Sequence, residues 1–243
     1  MIAALPMYDW PETRARNDRL WAAISAQLRT ADTDAPAILT RNMDLLAQWL
    51  SPDLLLSQTC SYPLETGLKN KVRYVATPSY AAQGCEKPGH YRSVILMSGA
   101  ALNLPVPEGG YAVLPDWLPY ACYAINGWDL MSGYQALKRD VAAAGRKLPS
   151  LHIETGSHRA SITAVASGTV DFCAVDCVSW AMALHYEPAA KHVHVAGWTK
   201  PRPGLPLITS LKTSDAVLAQ LVEAARAVLG AIVLEQPIDV VAA

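Results

Sequence analysis

The sequence predicts an α/β fold made of two lobes, each a mixed sheet flanked by helices. Three observations carry that expectation. Short apolar runs alternate with helical patterns along the whole chain. Two Pro/Gly-rich stretches interrupt the alternation: Gly99, Pro105, Pro107, Gly109 and Gly110 in the middle, and Thr199–Pro206 further on. Ser150–Leu184 reads as strand, turn, helix, strand, helix, a βαβ unit whose strands run parallel.

Each element has its own signal. Ile2–Met7 is a strand and Tyr8-Asp9-Trp10-Pro11 a turn. Pro11 opens a helix to about Leu28, with Leu20, Ala23, Ile24 and Leu28 on one face. Ala37–Thr40 is a short strand and Met43–Leu50 a helix. Leu54–Ser57 is a buried-type strand that breaks at Gln58-Thr59-Cys60-Ser61-Tyr62-Pro63, and Val72–Thr77 is the next strand. Tyr91–Met97 is a strand that runs into the Gly/Pro cluster, the best candidate boundary in the chain. A second block starts near Tyr111, with a strand at Tyr123–Asn126 and a helix from Ser132-Gly133-Tyr134 to about Ala144.

In the βαβ unit, Leu151–Glu154 is extended, Thr155-Gly156-Ser157 turns, and Ile162, Val165 and Ala166 recur at helical spacing until Gly168. Val170–Val175 ends at Asp176, where the next helix begins. This puts Ser157, His158 and Asp176 at the carboxyl ends of neighbouring parallel strands, where open α/β sheets bind ligands. Val193–Trp198 and Leu207–Ser210 are the last strands, and Ser214 and Asp215 cap a helix to Leu229. Crossings near 92–98 and 196–209 divide the chain into 1–96 with 201–243 and 97–200, two lobes able to close on a hinge around a cleft.

Composition narrows the function. The 243 residues can bury a full core, and 51% are hydrophobic against 17% charged. A net charge of -1 gives no reason to expect nucleic acid or an anionic membrane surface as a partner. No apolar run approaches ~20 residues, so membrane insertion is not expected. Met1 is followed at once by strand-like IAALPMY without a basic n-region, so no signal peptide is expected. Five cysteines do not make a disulfide framework: Cys122 and Cys173 sit in apolar runs, while Cys60, Cys85 and Cys177 flank turns and stay open. Without a CxxC pair, and with His152, His192 and His194 reading as surface residues, neither a metal nor a cofactor is expected.

The turns at Tyr8–Pro11, Ser57–Tyr62, Gly127–Tyr134, Thr155–His158 and Asp176–Trp180 each lead from a strand end towards a helix. One such turn says only that a serine caps a helix. Their recurrence in both halves, with free N–H groups and short hydroxyls, points to a binding cleft for a polar or anionic group. Tyr8, Asp9, Ser57, Gln58, Thr59, Tyr62, Ser132, Tyr134, Ser157, His158, Asp176 and Trp180 are its expected lining. Ser132, Ser157 and His158 would take the head group, and Asp176, Tyr8 and Tyr62 the opposite end, with Trp180 packed against it. The expected class is a binder without catalytic residues. The alternative is an enzyme on the same fold, of the thiamine-pyrimidine type, using Cys60 or Cys177 with His158.

Gly156-Ser157-His158-Arg159-Ala160-Ser161 through Val170–Asp176, together with Ser132-Gly133-Tyr134, resembles the substrate-binding proteins of phosphonate/phosphite-type ABC transporters, within the type 2 periplasmic binding protein fold. The likeness runs over most of the chain. It implies a solute receptor, a monomer or weak dimer, serving an ABC transporter permease. It also implies a periplasmic location where an export signal has been removed, and Met1 as native start would imply the cytoplasm. In such proteins the hydroxyl-rich turn before Gly-Tyr and the Gly-Ser-His turn hold the phosphonate oxygens. The carboxylate after the later strand and first-lobe tyrosines hold the remainder. Here Asp129-Leu130-Met131-Ser132 keeps one hydroxyl, and Leu130 and Met131 would make that wall apolar. A phosphonate-like ligand, or a larger and less charged relative able to stack on Trp180 or Tyr62, is therefore expected.

Overall fold

The computed structural model describes residues 1–99 and 103–239. The chain divides into two compact units, Met1–Tyr80 with the chain from Pro203 onward, and Ala81–Arg202.

In the first unit a four-stranded sheet has the order β1-β2-β11-β3. The strands are β1 (Ile2–Ala4), β2 (Leu54–Gln58), β3 (Val72–Ala76) and β11 (Leu207–Ser210). β1 runs parallel to β2, whereas β11 is antiparallel to both β2 and β3. Helix α1 (Arg14–Thr30) lays Trp21, Ile24 and Leu28 against Leu55 and Leu56 of β2 and Leu221, Ala224 and Ala225 of α7 (Asp215–Leu229). The other face is covered by Trp49 of α2 (Leu45–Trp49) and Leu64 of α3 (Ser61–Glu65), packed with Leu54, Leu68, Val72 and Ile208. The caps explain the helix starts. Ser214 accepts from Val217 N–H and Asp44 from Ala47 N–H, each satisfying a first-turn donor.

Three local expectations shift here. Pro6–Tyr8 forms a 3-10 turn, which ends β1 at Ala4. Helix α1 starts at Arg14 rather than Pro11: residues 11–13 form a turn in which Thr13 N–H and Arg14 N–H both donate to Trp10 O, and the Thr13 hydroxyl donates to the carbonyls of Tyr8 and Trp10. Ala37–Thr40 is not a strand: its amide at Thr40 bonds Ala3 O at 2.6 Å, and no ladder continues from that contact.

In the second unit a five-stranded sheet has the order β7-β6-β8-β5-β9. β6 (Tyr123–Ile125) is parallel to β7 (His152–Glu154) on one side and to β8 (Phe172–Asp176) on the other. The two strands of the βαβ unit therefore flank β6 rather than each other. β5 (Ser93–Ser98) runs antiparallel to β8 and to β9 (Val193–Trp198), with Ser93 opposite Asp176. Helices α4 (Ala136–Ala143), α5 (His158–Ala166) and α6 (Cys177–Tyr186) complete the unit, with the short strands β4 (His90–Tyr91) and β10 (Arg202–Pro203) near its ends. Ile95, Tyr123, Ile125, Leu137, Val141, Phe172 and Ala174 form one core cluster. Asp140 on α4 is 3% exposed and is matched by Arg202, whose Nη2 lies 2.5 Å from its Oδ1.

The first crossing is displaced from the expected 96/97 to Tyr80/Ala81. The reason is β5, which finds its partners β8 and β9 inside the second sheet. The Gly/Pro cluster is correspondingly no boundary. Arg92, 2% exposed, donates to the carbonyls of Thr199 at 2.7 Å and Tyr111 at 2.9 Å and to Gly109 O. Trp198 exchanges backbone hydrogen bonds with Val113 and donates its indole N–H to Leu104 O. Those contacts fasten the segment to the second unit.

Candidate functional site

The strongest polar constellation stands where β6, β7 and β8 end. Each of these parallel strands delivers its carboxyl-terminal residue to the same rim of the sheet, and each is followed by a turn into helical structure. From β6 come Asn126 and then Ser132, on a π-helical turn over Met131–Gln135. From β7 come Ser157, the cap of α5, and His158, its first residue. From β8 comes Asp176, the cap of α6.

His158 is the centre. Its Nε2 lies 2.9 Å from Ser132 Oγ, 3.2 Å from Asp176 Oδ2 and 3.3 Å from Asn126 Nδ2. A single proton on Nε2 can be donated to Ser132 or to Asp176 but not to both. The Asn126 amide can donate to Nε2 only when the ring proton sits on Nδ1. The cluster is thus switchable between tautomers by whatever else approaches it. Asp176 is fixed from the other side, since its Oδ1 accepts from Ser179 N–H at 2.8 Å.

Burial pushes the His158 pKa below its ordinary 6.5, and the nearby Asp176 charge pulls it up without overcoming that push. Two atoms of the cluster, His158 Nδ1 and Asn126 Oδ1, are buried without a hydrogen-bond partner in the protein. Each such atom costs about 1–3 kcal/mol, an expense typical of positions kept for function.

Not every expected residue of this unit joins the cluster. Ser157 is exposed, and its hydroxyl accepts from Ala160 N–H as a helix cap. Tyr134 turns away to pack edge-on against Trp128 at 4.8 Å, with Lys138 Nζ 5.4 Å from its ring centre. Trp180 is buried on α6, 8% exposed. Met131, on the same π-helical turn as Ser132, is fully buried. Asp176, expected at the far end of a ligand, stands instead against His158. Asn126 was missed. It stands immediately after Ile125, the last residue of β6, whereas Asp176 is itself the last residue of β8; a polar residue ending an apolar run ahead of Gly127 was its available signal.

The expected residues of the first unit gather at the carboxyl ends of its parallel strands β1 and β2. Tyr8 is buried and meets Tyr80 edge-on at 5.2 Å. Burial alone would raise the Asp9 pKa, but hydrogen bonds from Arg41 and Asn17 and the charges of Arg41 and Arg14 hold it below the usual carboxylate range. Ser57 accepts from Gln48 Nε2 at 2.7 Å, and Gln58 Nε2 donates to Tyr80 Oη at 2.8 Å and to Leu205 O at 3.3 Å. Thr59 is fully buried, whereas Tyr62 is half-buried near the start of α3.

Cys177 does not have the environment of an activated catalytic thiol. The hydrogen bond with Cys85, burial, and the charges of Cys85 and Asp176 push its thiol well above the ordinary range, opposite to what activation requires. Among the described residues, no group of three or more His, Cys, Asp or Glu side chains is placed to hold a metal ion, and no helix is long and apolar enough to cross a membrane.

No protein-family model matches this sequence, and no curated protein does. Solved structures do match. PhnD1 from Prochlorococcus marinus (MIT 9301), in complex with methylphosphonate, aligns at TM-score 0.65 and 14% identity, over 93% of this chain and 82% of that one. A binding-protein component of an ABC phosphonate transporter from Pseudomonas aeruginosa aligns at 0.62 and 14% identity, over 94% of this chain and 78% of that one. A Xanthomonas citri protein bound to ATP aligns at 0.64 and 11% identity, over 94% and 86%. The fold is that of the type 2 periplasmic binding proteins.

Proposed function

We propose that the chain is a non-catalytic receptor for a small polar organic solute and serves an ABC transporter outside the cytoplasm. The observation that carries the reading is the His158 cluster: an imidazole held by Ser132, Asn126 and Asp176 at the ends of three parallel strands, with two buried polar atoms left unpaired. That is the chemistry of a site that orients a polar head group rather than one that activates a nucleophile. The likeness to proteins described as binding methylphosphonate, or as serving a phosphonate transporter, supports the same class.

The charge of the cluster refines the ligand. Asp176 brings a carboxylate into the cluster, 3.2 Å from His158 Nε2, and the turn 129–132 offers Ser132 as its one hydroxyl. A doubly ionised phosphonate finds few neutral donors there and a carboxylate close by, so a solute with a donor of its own towards Asp176 is the reading we put forward. A phosphonate monoester, a zwitterion or a neutral heterocycle with a donor towards Asp176 fits better. Thermal unfolding against a panel holding methylphosphonate, an aminophosphonate and neutral heterocycles tests this. A true solute at 100-fold over its Kd adds about 2.7 kcal/mol of stability. His158→Ala should weaken the same solute at least tenfold while still folding. Turnover of any bound compound would refute the receptor reading, and a strong response to methylphosphonate alone would refute the preference for lower charge.

A further inference from the structure

We propose that Cys85 and Cys177 are a covalent oxidation site, closing to an intramolecular disulfide by exchange with a small-molecule disulfide of the glutathione class. Their sulfur atoms lie 3.3 Å apart as free thiols. A disulfide needs about 2 Å, a closure within reach of small side-chain rotations. Neither the receptor reading nor the His158 cluster uses this pair.

The approach is built by the backbone rather than by chance proximity of two mobile side chains. Arg92 anchors both partners: its N–H donates to Gly84 O at 2.9 Å, and its carbonyl accepts from Cys177 N–H at 3.1 Å. Gly84, at φ +97, lets the turn before Cys85 press directly onto Cys177. A Cβ at Gly84 would stand 2.8 Å from Cys177 Cβ and 3.0 Å from its sulfur. Gly84 N–H is held in turn by Glu86 Oε1 at 2.8 Å. Cys177 itself cannot drift, since it is the first residue of α6 and follows Asp176, which is registered against Ser93.

The order of events follows from exposure. Cys85 is half-exposed, whereas Cys177 is 1% exposed and its thiol is pushed up by Cys85, burial and Asp176. The Cys85 thiolate attacks the small disulfide, forming a mixed disulfide and releasing one thiolate, which takes up a proton from solvent. Cys177 then attacks the Cys85 sulfur, giving up its proton as the S–S bond forms and a second small thiol leaves. Two electrons pass from the cysteine pair to the small disulfide. Being buried, Cys177 makes the second step the slower one. The bond joins positions 92 residues apart in sequence, so it restricts the unfolded chain strongly.

The test incubates the intact reduced protein in glutathione buffers of increasing oxidised fraction, followed by denaturation, alkylation and peptide mapping. The expected result is loss of two hydrogens, a single cross-link between the Cys85 and Cys177 peptides, and three cysteines still alkylated. The thermal midpoint should rise by ~5 °C or more, reversed by dithiothreitol. Cys177→Ser should leave a stable glutathione adduct on Cys85, and Cys85→Ser should leave Cys177 unmodified in the folded protein. Full alkylation of both residues in the most oxidising buffer would overturn the proposal, as would a cross-link that involves Cys60, Cys122 or Cys173. If Cys177→Ser fails to fold, the wild-type map and Cys85→Ser still decide the matter.

Discussion

At the scale of single residues, the consequential fact is that His158 is neutral where it is most surrounded. Burial lowers its pKa from the ordinary 6.5, and the Asp176 charge only partly restores it. The sign of the pH dependence follows. Above about pH 6.5 the imidazole is neutral in both folded and unfolded chains, and the folded state keeps its full advantage. As pH falls below that value, the unfolded chain takes up a proton that the folded chain refuses, so stability declines until the folded pKa is passed. The slope from one such group approaches about 1.4 kcal/mol per pH unit. We expect urea unfolding between about pH 7.5 and 5.5 to show this decline, and His158→Gln to remove it while keeping a hydrogen-bonding side chain. Equal slopes for the two proteins would show that His158 titrates as freely in the folded state as in the unfolded one. This part of the site was legible in the sequence because Ser157 and His158 follow a strand and a Gly turn, and Asp176 follows a strand. Asn126 was not, because no helical pattern begins until Ser132. Nor was the absence of Tyr134 and Trp180 from the His158 cluster: a residue at a helix start can point to the rim or to the core, and the sequence does not say which.

At the scale of elements, the turn from β6 into α4 decides whether the cluster forms. The sequence predicted a plain helix start at Ser132. The chain instead makes a π-helical turn, a form that recurs at functional sites. Gly133 in that turn meets Asn126 so closely that a Cβ there would stand 1.7 Å from Asn126 Oδ1. The glycine is needed for that approach, and the approach is what puts the Asn126 amide beside His158. Gly133→Ala must therefore push Asn126 aside, and overpacking of this kind costs about 1–3 kcal/mol. Combining it with Asn126→Gly should recover a good part of that loss, because the obstructing side chain is gone. Strictly additive losses in the two-residue cycle would mean that the pair does not interact as described. The strands were easier to read than their partners. Tyr91–Met97 has the apolar run of a buried strand, but β8 and β9, which pair with it, lie far along the chain. Such non-local pairing leaves no local trace, and the expected crossing was misplaced for that reason.

At the scale of the whole molecule, chain order separates the two units in a way that can be measured. The first unit is assembled from two distant segments, since β11 and α7 return to complete the sheet begun by β1, β2 and β3. The second unit is one unbroken run. All five strands of its sheet, its core cluster of Ile95, Tyr123, Ile125, Leu137, Phe172 and Ala174, and the Arg92 fastening of the Gly/Pro segment lie between Ala81 and Arg202. Its buried ion pair is also internal, with Asp140 held by Arg202, the last residue of the run. At about 120 residues it has the size at which a single core suffices for independent folding. We expect the fragment 81–202 to unfold cooperatively in urea and to show dispersed amide chemical shifts. It should refold slowly for its size, because β5 must find β8 and β9 across long stretches of chain. Arg202→Met in the same fragment should cost about 3–5 kcal/mol, since it leaves the Asp140 carboxylate buried and unmatched. A fragment with collapsed chemical shifts and a broad, gradual transition would show that the second sheet cannot hold its register alone. The unit would then owe its order to the rest of the chain.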